Sequence, residues 1–326
     1  MTNTRTPTPN VPADAPSTAA EPGTVALSIL VTGVTGFVGG ALAERLRHRG
    51  MHVRGLARKA PATDLGYPVA IGDLESGAGL EPAMRGVDVA VYLVHSMEGS
   101  GDFSEQERRS AEYFTAAAQR AGVRRVVYLG GLVPEEDSAG GSEHLESRND
   151  VEDILLEGFP EAVAFRASMV IGHGSRSFDF LASLVERLPV LALPSWRSNR
   201  TRPIHVDDVM DYLTAAITSD DIHEALRLDI GGADEIGYGD LVGRIGELAG
   251  KDRPTVGLPF DATPLASRLA AKVAGEDKGL IEPLMESLQY DLLPDDDDAR
   301  ARFGVQPKTL DDAIRDALAD RNAGTD

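Results

Sequence analysis

The sequence predicts an α/β protein, a doubly wound parallel sheet with a smaller, mostly helical C-terminal lobe. Three observations predict it. Apolar runs with little polar alternation recur between residues 25 and 172, and helical stretches separate them. Strands that are apolar on both faces and alternate with helices belong to parallel sheets covered on both sides. The first run passes through a glycine-studded turn straight into the first helix, and after about residue 173 the alternation gives way to helices.

In order, VALSILV (25–31) reads as a strand and FVGGALAERLRHR as a helix stopped by Gly50. Further strands are expected at 51–57, 68–73, 87–94, 123–130 and 161–172. A helix is expected between the fourth and fifth of these six strands. Ser104 and Glu107 have the spacing of a capping box, the pattern runs to Arg120, and Gly122 suits a left-handed stop. Another helix, about 142–157, precedes Gly158. Beyond it the pattern predicts helices near 177–187, 206–218, 239–249, 263–274, 279–289 and 309–321, with short strands at 202–206 and 226–230. The run Asp295–Asp298 reads as a solvated loop or helix start, because adjacent carboxylates repel one another and lack ligand spacing.

Composition narrows the function classes. The 326 residues are 42% hydrophobic and 26% charged, which suits a folded chain. Cysteine is absent, so disulfides, thiolate metal sites and thiol nucleophiles are excluded. A formal charge of −20 disfavours nucleic acid and anionic membranes as partners. Residues 1–24 are rich in Thr, Pro and Ala, without an apolar run, and read as a disordered tail and not a signal peptide. No stretch is apolar for long enough to span a bilayer, so a cytoplasmic protein is expected.

The most informative segment is Ile29-Leu-Val-Thr-Gly33-Val-Thr-Gly36-Phe-Val-Gly39-Gly40. Gly33 permits a tight turn, Gly36 lets the backbone approach a diphosphate, and Gly39 lets the helix pack closely on the sheet. The open N–H groups and the dipole of that helix end favour an anion. Strand before and helix after favour a dinucleotide site over a merely structural glycine turn, with contacts expected from Gly33, Thr35, Gly36, Phe37, Val38 and Gly39. A protein that binds the unphosphorylated cofactor places Asp or Glu at the end of the second strand, to meet the ribose hydroxyls. Here Arg58 and Lys59 stand there, with no acid until Asp64. Two cations suit a 2′-phosphate, so NADP is expected and NAD remains open; the bland alternative is a solvated loop tip. Asp73 suits either an adenine amino group, with Leu74 beside the ring, or a helix cap. Val94 and His95, past the fourth strand, complete the expected cofactor contacts.

The turn TGVTGFVGG, the GDL after the third strand, IGHGS after the sixth and Ile204-His-Val-Asp-Asp-Val209 together resemble the short-chain dehydrogenase/reductase superfamily. The resemblance covers about residues 27–320. It is greatest to the extended and atypical branches, which include NmrA-like and nucleoside-diphosphate-sugar-epimerase-like proteins. A finer resemblance, to bacterial atypical members, rests on Tyr92–Met97, Tyr128–Leu132 and His144–Arg148. It implies a Rossmann domain over 25–175, and a region over 176–326 that completes the sheet and forms the substrate lobe.

The superfamily's usual active site is a Ser or Thr at the end of strand five and Tyr-x-x-x-Lys on the next helix. Here the strand positions are Gly130 and Gly131, the helix slot reads His144-Leu-Glu-Ser-Arg148, and no lysine occurs between 60 and 250. His144 and Arg148 are one turn apart and share a face. Arg148 suits a cofactor or substrate anchor and His144 an acid/base, against the alternative of an exposed His and an ordinary surface Arg. Ser96, Met97 and His173 are candidates for the substrate side, and Trp196 and Arg202 for the cleft. His205 and Asp207 read as structural, with Asp207 capping the following helix.

Three functions remain open at this level. One is an NADP-preferring oxidoreductase that acts on a small molecule. Another is a non-catalytic NADP(H) redox sensor with a regulatory protein partner, and the last is a sugar-nucleotide epimerase or dehydratase. A monomer and a homodimer are equally compatible with the sequence.

Overall fold

The structure, a computed structural model, describes residues 26–94, 103–133, 143–257 and 287–323, with 103 and 143–148 described through their backbone alone. Its centre is a seven-stranded sheet in which every adjacent pair is parallel. The strands are β1 (Ser28–Thr32), β2 (His52–Ala57), β3 (Val69–Ile71), β4 (Val89–Tyr92), β5 (Arg125–Gly131) and β6 (Val163–Ala167). The seventh, Leu226–Ile230, arrives from the second half of the chain and pairs with β6, so the spatial order runs seventh-β6-β5-β4-β1-β2-β3.

The unbroken apolar runs are explained by where alternate side chains go. Ile29 and Val31 enter one core and Leu30 the other; Val89 and Val91 part in the same way from Ala90 and Tyr92. A strand covered on both faces has no solvated side to make polar. One face carries α1 (Phe37–His48) and α2 (Val206–Thr218) through Leu42, Leu46, Met210, Leu213 and Ile217. The other carries the short helix Leu80–Met84, α3 (Phe103–Ala121) and α4 (Glu143–Gly158) through Met84, Phe114, Ala118, Val151 and Leu155. The sequence pattern did not indicate Leu80–Met84, because five residues are too few to show a helical period.

A second core lies outside the sheet. It joins α5 (Arg176–Arg187), α6 (Tyr238–Leu248) and the helix Leu310–Ala323 around Phe178, Trp196, Tyr238 and Ile314. The expected helices near 206–218, 239–249 and 309–321 are thus present. Those near 263–274 and most of 279–289 lie outside the described residues, as does the tail 1–24. Small two-stranded sheets stitch this part together, Ile204–His205 pairing with Val170–Ile171 and Leu191–Leu193 with Thr255–Gly257. None of the helices among the described residues is long and apolar enough to cross a membrane.

Four expectations need correction. The helix α3 starts at Phe103, so Ser104 lies inside it and not at its cap. The cap of α2 is His205, whose Nδ1 accepts from the Asp207 N–H at 3.2 Å; Asp207 is in the first turn and pairs with Lys308. Trp196 does not face a cleft: it is buried, edge-on to Tyr238. Arg202 is committed to Asp296 at 2.9 Å and to the carbonyl of Gly232. Of the two readings of the acidic run the helix start holds, since the helix Asp297–Phe303 begins there; Asp296, just before it, is 2% exposed and held between Arg202 and Arg300.

Candidate functional site: a cleft above the glycine turn

The cleft opens where β1 lies between β2 and β4, the topological switch point at which open α/β sheets bind ligands. The Leu93 N–H donates to the buried hydroxyl of Thr32 at 2.8 Å and ties the two strand ends together. Gly33 follows with φ +64°, a conformation that L side chains rarely adopt, and accepts from Gly36 N–H at 2.9 Å. Gly39 packs so close that a Cβ there would overlap the Gly33 carbonyl. The turn therefore needs glycine at 33 for its backbone and at 39 for its packing.

The helix α1 begins at Phe37 with Gly36 as its cap, no side chain bonding the cap and no acid in the first turn. Its first amides are left for a ligand, and the positive end of the dipole faces the cleft. A Cβ on Gly36 would touch only the Gly33 carbonyl, at 3.2 Å, so the glycine leaves an open cradle on that wall.

The described residues enclose a cavity of about 340 Å³ in this cleft, the size of a small-ligand site. Gly33, Thr35, Gly36, Arg58, Asp73, Leu74 and Val94 line it together, gathered from four loops. Phe37 and Val38 are not on its wall: they open α1, and Val38 packs on the core. Gly39 is buried behind the turn, and Lys59 is exposed beyond the lining. Arg58 is 71% exposed and faces Glu75 at 3.6 Å. Asp73 accepts from the Glu75 N–H at 3.1 Å and from the Ser76 hydroxyl at 2.7 Å, so it caps its own loop while lining the cavity.

Of the lining residues that escaped the sequence reading, two bear most on a ligand. Ser110 on α3 is 3% exposed, and its hydroxyl has no hydrogen-bond partner among the described residues. A buried hydroxyl left without a partner costs about 1–3 kcal/mol, so a polar ligand atom beside it would be stabilised. A serine on the inner face of a helix, between Glu107 and Ala111, was the available signal. The other is Arg176, the first residue of α5, for which no motif gave a sign.

On the substrate side, His173 is exposed, with Nδ1 4.0 Å from Asp179, and does not line this cavity. His95, Ser96 and Met97 lie outside the described residues. His144 and Arg148 fall on the first turns of α4, in the stretch described by backbone alone. At Gly130 a side chain is excluded, since a Cβ would come within 2.6 Å of the Tyr128 ring.

Comparison with known proteins agrees with this geometry. Residues 33–157 match a protein family described as NAD(P)H-binding. The chain is 29% identical over 196 residues to the ceramide reductase of Caulobacter vibrioides, 57% of this chain and 60% of that one. It is 37% identical over 135 residues to the (4-alkanoyl-5-oxo-2,5-dihydrofuran-3-yl)methyl phosphate reductase of Streptomyces griseus, 40% of this chain and 44% of that one. The matches therefore span less than two thirds of either relative's length. The solved structure of gox2253 superposes with a TM-score of 0.71 at 23% identity, covering 91% of this chain and 98% of that one. A short-chain dehydrogenase/reductase superfamily protein from Agrobacterium tumefaciens, solved with bound NAD, gives 0.66 at 19%, covering 91% and 98%. At such identities the structural likeness speaks for the fold alone. With the family match, residues 33–157 are similar to an NAD(P)H-binding domain and sit on a Rossmann-like α/β fold.

Proposed function

We propose that this chain prefers NADP(H) over NAD(H) and is an oxidoreductase acting on a small organic molecule without a Tyr-x-x-x-Lys set. The observation that carries the proposal is the cavity itself. Turn amides free of side-chain caps form one wall, and Arg58 stands at the end of β2 where a carboxylate would otherwise meet the ribose. The residues present fit a dinucleotide. The Gly36 cradle takes a diphosphate, Asp73 and Leu74 suit the adenine, and the unpartnered Ser110 hydroxyl awaits a polar atom. Arg58 adds a forked donor suited to a 2′-phosphate.

A bound nicotinamide supplies a hydride donor or acceptor. The chain's own part is to orient the cofactor and move a proton, and two reductase-named relatives support that class. In this reading His144 holds or gives the proton and Arg148 anchors the ribose or the substrate, from positions one turn apart on α4. Ser96, Met97 and His173 would face the substrate.

Calorimetric titration of ligand-free protein tests the cofactor preference. NADPH should bind more tightly than NADH, and Arg58→Ala should weaken NADPH by about tenfold or more while changing NADH little. Equal affinities of the two nucleotides for both proteins would refute the preference.

A further inference from the structure

Arg176 has a place in the cavity that the cofactor reading leaves unused. Among the described residues its guanidinium forms no ion pair and no hydrogen bond, although it shares the cavity wall with Gly33, Thr35 and Gly36. Arg58, by contrast, already faces Glu75.

The loop that carries Arg176 is built to bring it there. Gly172 lies against the ring of Phe37, the first residue of α1, and a Cβ would come within 2.7 Å of that ring. Gly174, at φ +90°, lies against the same ring. The Ser175 N–H donates to the Gly172 carbonyl at 3.1 Å, and its hydroxyl donates to the Val170 carbonyl at 2.6 Å. The Gly174 N–H donates to Asp179 at 3.0 Å. So fixed, the loop starts α5 beside this cavity, with Arg176 exposed at its first position and lining the cavity together with the glycine turn. The rest of α5 is anchored elsewhere: Phe178, Leu181 and Val185 are buried in the core outside the sheet.

Charge gives this arrangement its purpose. A dinucleotide diphosphate carries two negative charges, whereas a helix end offers about half a positive one. The chain around it has a net charge of −20. Arg58, the other cation on this cavity wall, already faces Glu75, so Arg176 is the cation left to meet a diphosphate.

We propose that Arg176 clamps the dinucleotide diphosphate from the lobe side, opposite the turn amides. The grip would then have two walls, one on the nucleotide-binding half and one rooted in the second core. Cofactor occupancy would thereby link the two parts of the molecule. The proposal rests on the cofactor reading of this cavity, and its test separates the two.

Wild type, Arg176→Ala and Arg176→Lys are titrated with NADPH, NADH and adenosine 2′-monophosphate, which has the 2′-phosphate and no diphosphate. Arg176→Ala should weaken both dinucleotides by the same factor, roughly tenfold or more, and keep their ratio. Adenosine 2′-monophosphate should bind as to wild type, which also reports an intact fold. Arg176→Lys, with the charge but not the fork, should fall between. Unchanged dinucleotide affinities, a loss confined to NADPH, or an equal loss for the monophosphate would each overturn the clamp. A wild type that ignores all three nucleotides would overturn the cofactor reading, and the clamp with it.

Discussion

Arg58 and Glu75 face each other across the edge of the cavity at 3.6 Å, 71% and 44% exposed. An ion pair this open contributes about 0–1 kcal/mol, so its place at the binding edge matters more than its strength. If Arg58 meets a 2′-phosphate, Glu75 is both its competitor and a like charge beside the ligand. Glu75→Gln should tighten NADPH severalfold, leave NADH nearly unchanged, and alter stability by less than about 1 kcal/mol. Parallel titrations and urea unfolding check this; an unchanged NADPH affinity would separate Arg58 from the phosphate. At this scale the sequence disclosed the residues that glycine spacing or strand ends mark out, namely Gly33, Gly36, Arg58, Asp73 and Leu74. Ser110 and Arg176 were hidden because their approach depends on how α3 and the Gly172–Ser175 loop pack, and no short motif encodes that.

The elements are held by polar contacts at their ends as much as by their apolar faces. Arg125, fully buried at the start of β5, donates to the carbonyls of Ala216 at 2.8 Å and Ser219 at 2.6 Å, satisfying the C-terminal end of α2. The opposite end of α2 is capped by His205, 4% exposed, through Nδ1. Burial, and then the nearby Lys308, push the pKa of His205 down from its ordinary value, outweighing the pull of Asp207 and Asp316. The folded protein therefore keeps this imidazole neutral, as an acceptor must be. Its stabilisation is complete above the unfolded value of about 6.5 and is lost as pH falls toward the lower folded value. Urea unfolding should show stability declining below about pH 6.5. His205→Asn, which retains a capping acceptor, should flatten that decline. An equally steep decline in the variant would assign the acid sensitivity elsewhere. The sequence marked His205 as structural but gave the cap to Asp207, because aspartate is the commoner capping residue. The choice was made by Lys308, a hundred positions away, which holds the Asp207 carboxylate and leaves only its N–H at the cap.

Over the whole molecule, the sheet was legible because β1, β4, β5 and β6 feed two cores at once and so carry no polar alternation. The second core was legible only as a series of helices. Strands of two or three residues, such as Arg200–Thr201 or Ile236–Gly237, carry no period, and the pairing of Leu226–Ile230 with β6 spans more than sixty positions. Trp196 shows the same limit, since an aromatic beside a cleft and one beneath it have the same sequence neighbours. The molecule gathers cationic groups at one cleft of a strongly acidic chain. There the glycine turn, Arg58 and Arg176 come from three segments far apart in sequence. The proposed function requires that this cleft hold a dinucleotide, its diphosphate on the amides that open α1. A crystal structure with NADPH tests it most directly. It should show the diphosphate over Gly33–Phe37 with Arg176 against it, the 2′-phosphate at Arg58, and His144 near the nicotinamide. A nucleotide bound elsewhere, or a glycine turn with no phosphate on its amides, would refute the proposed site.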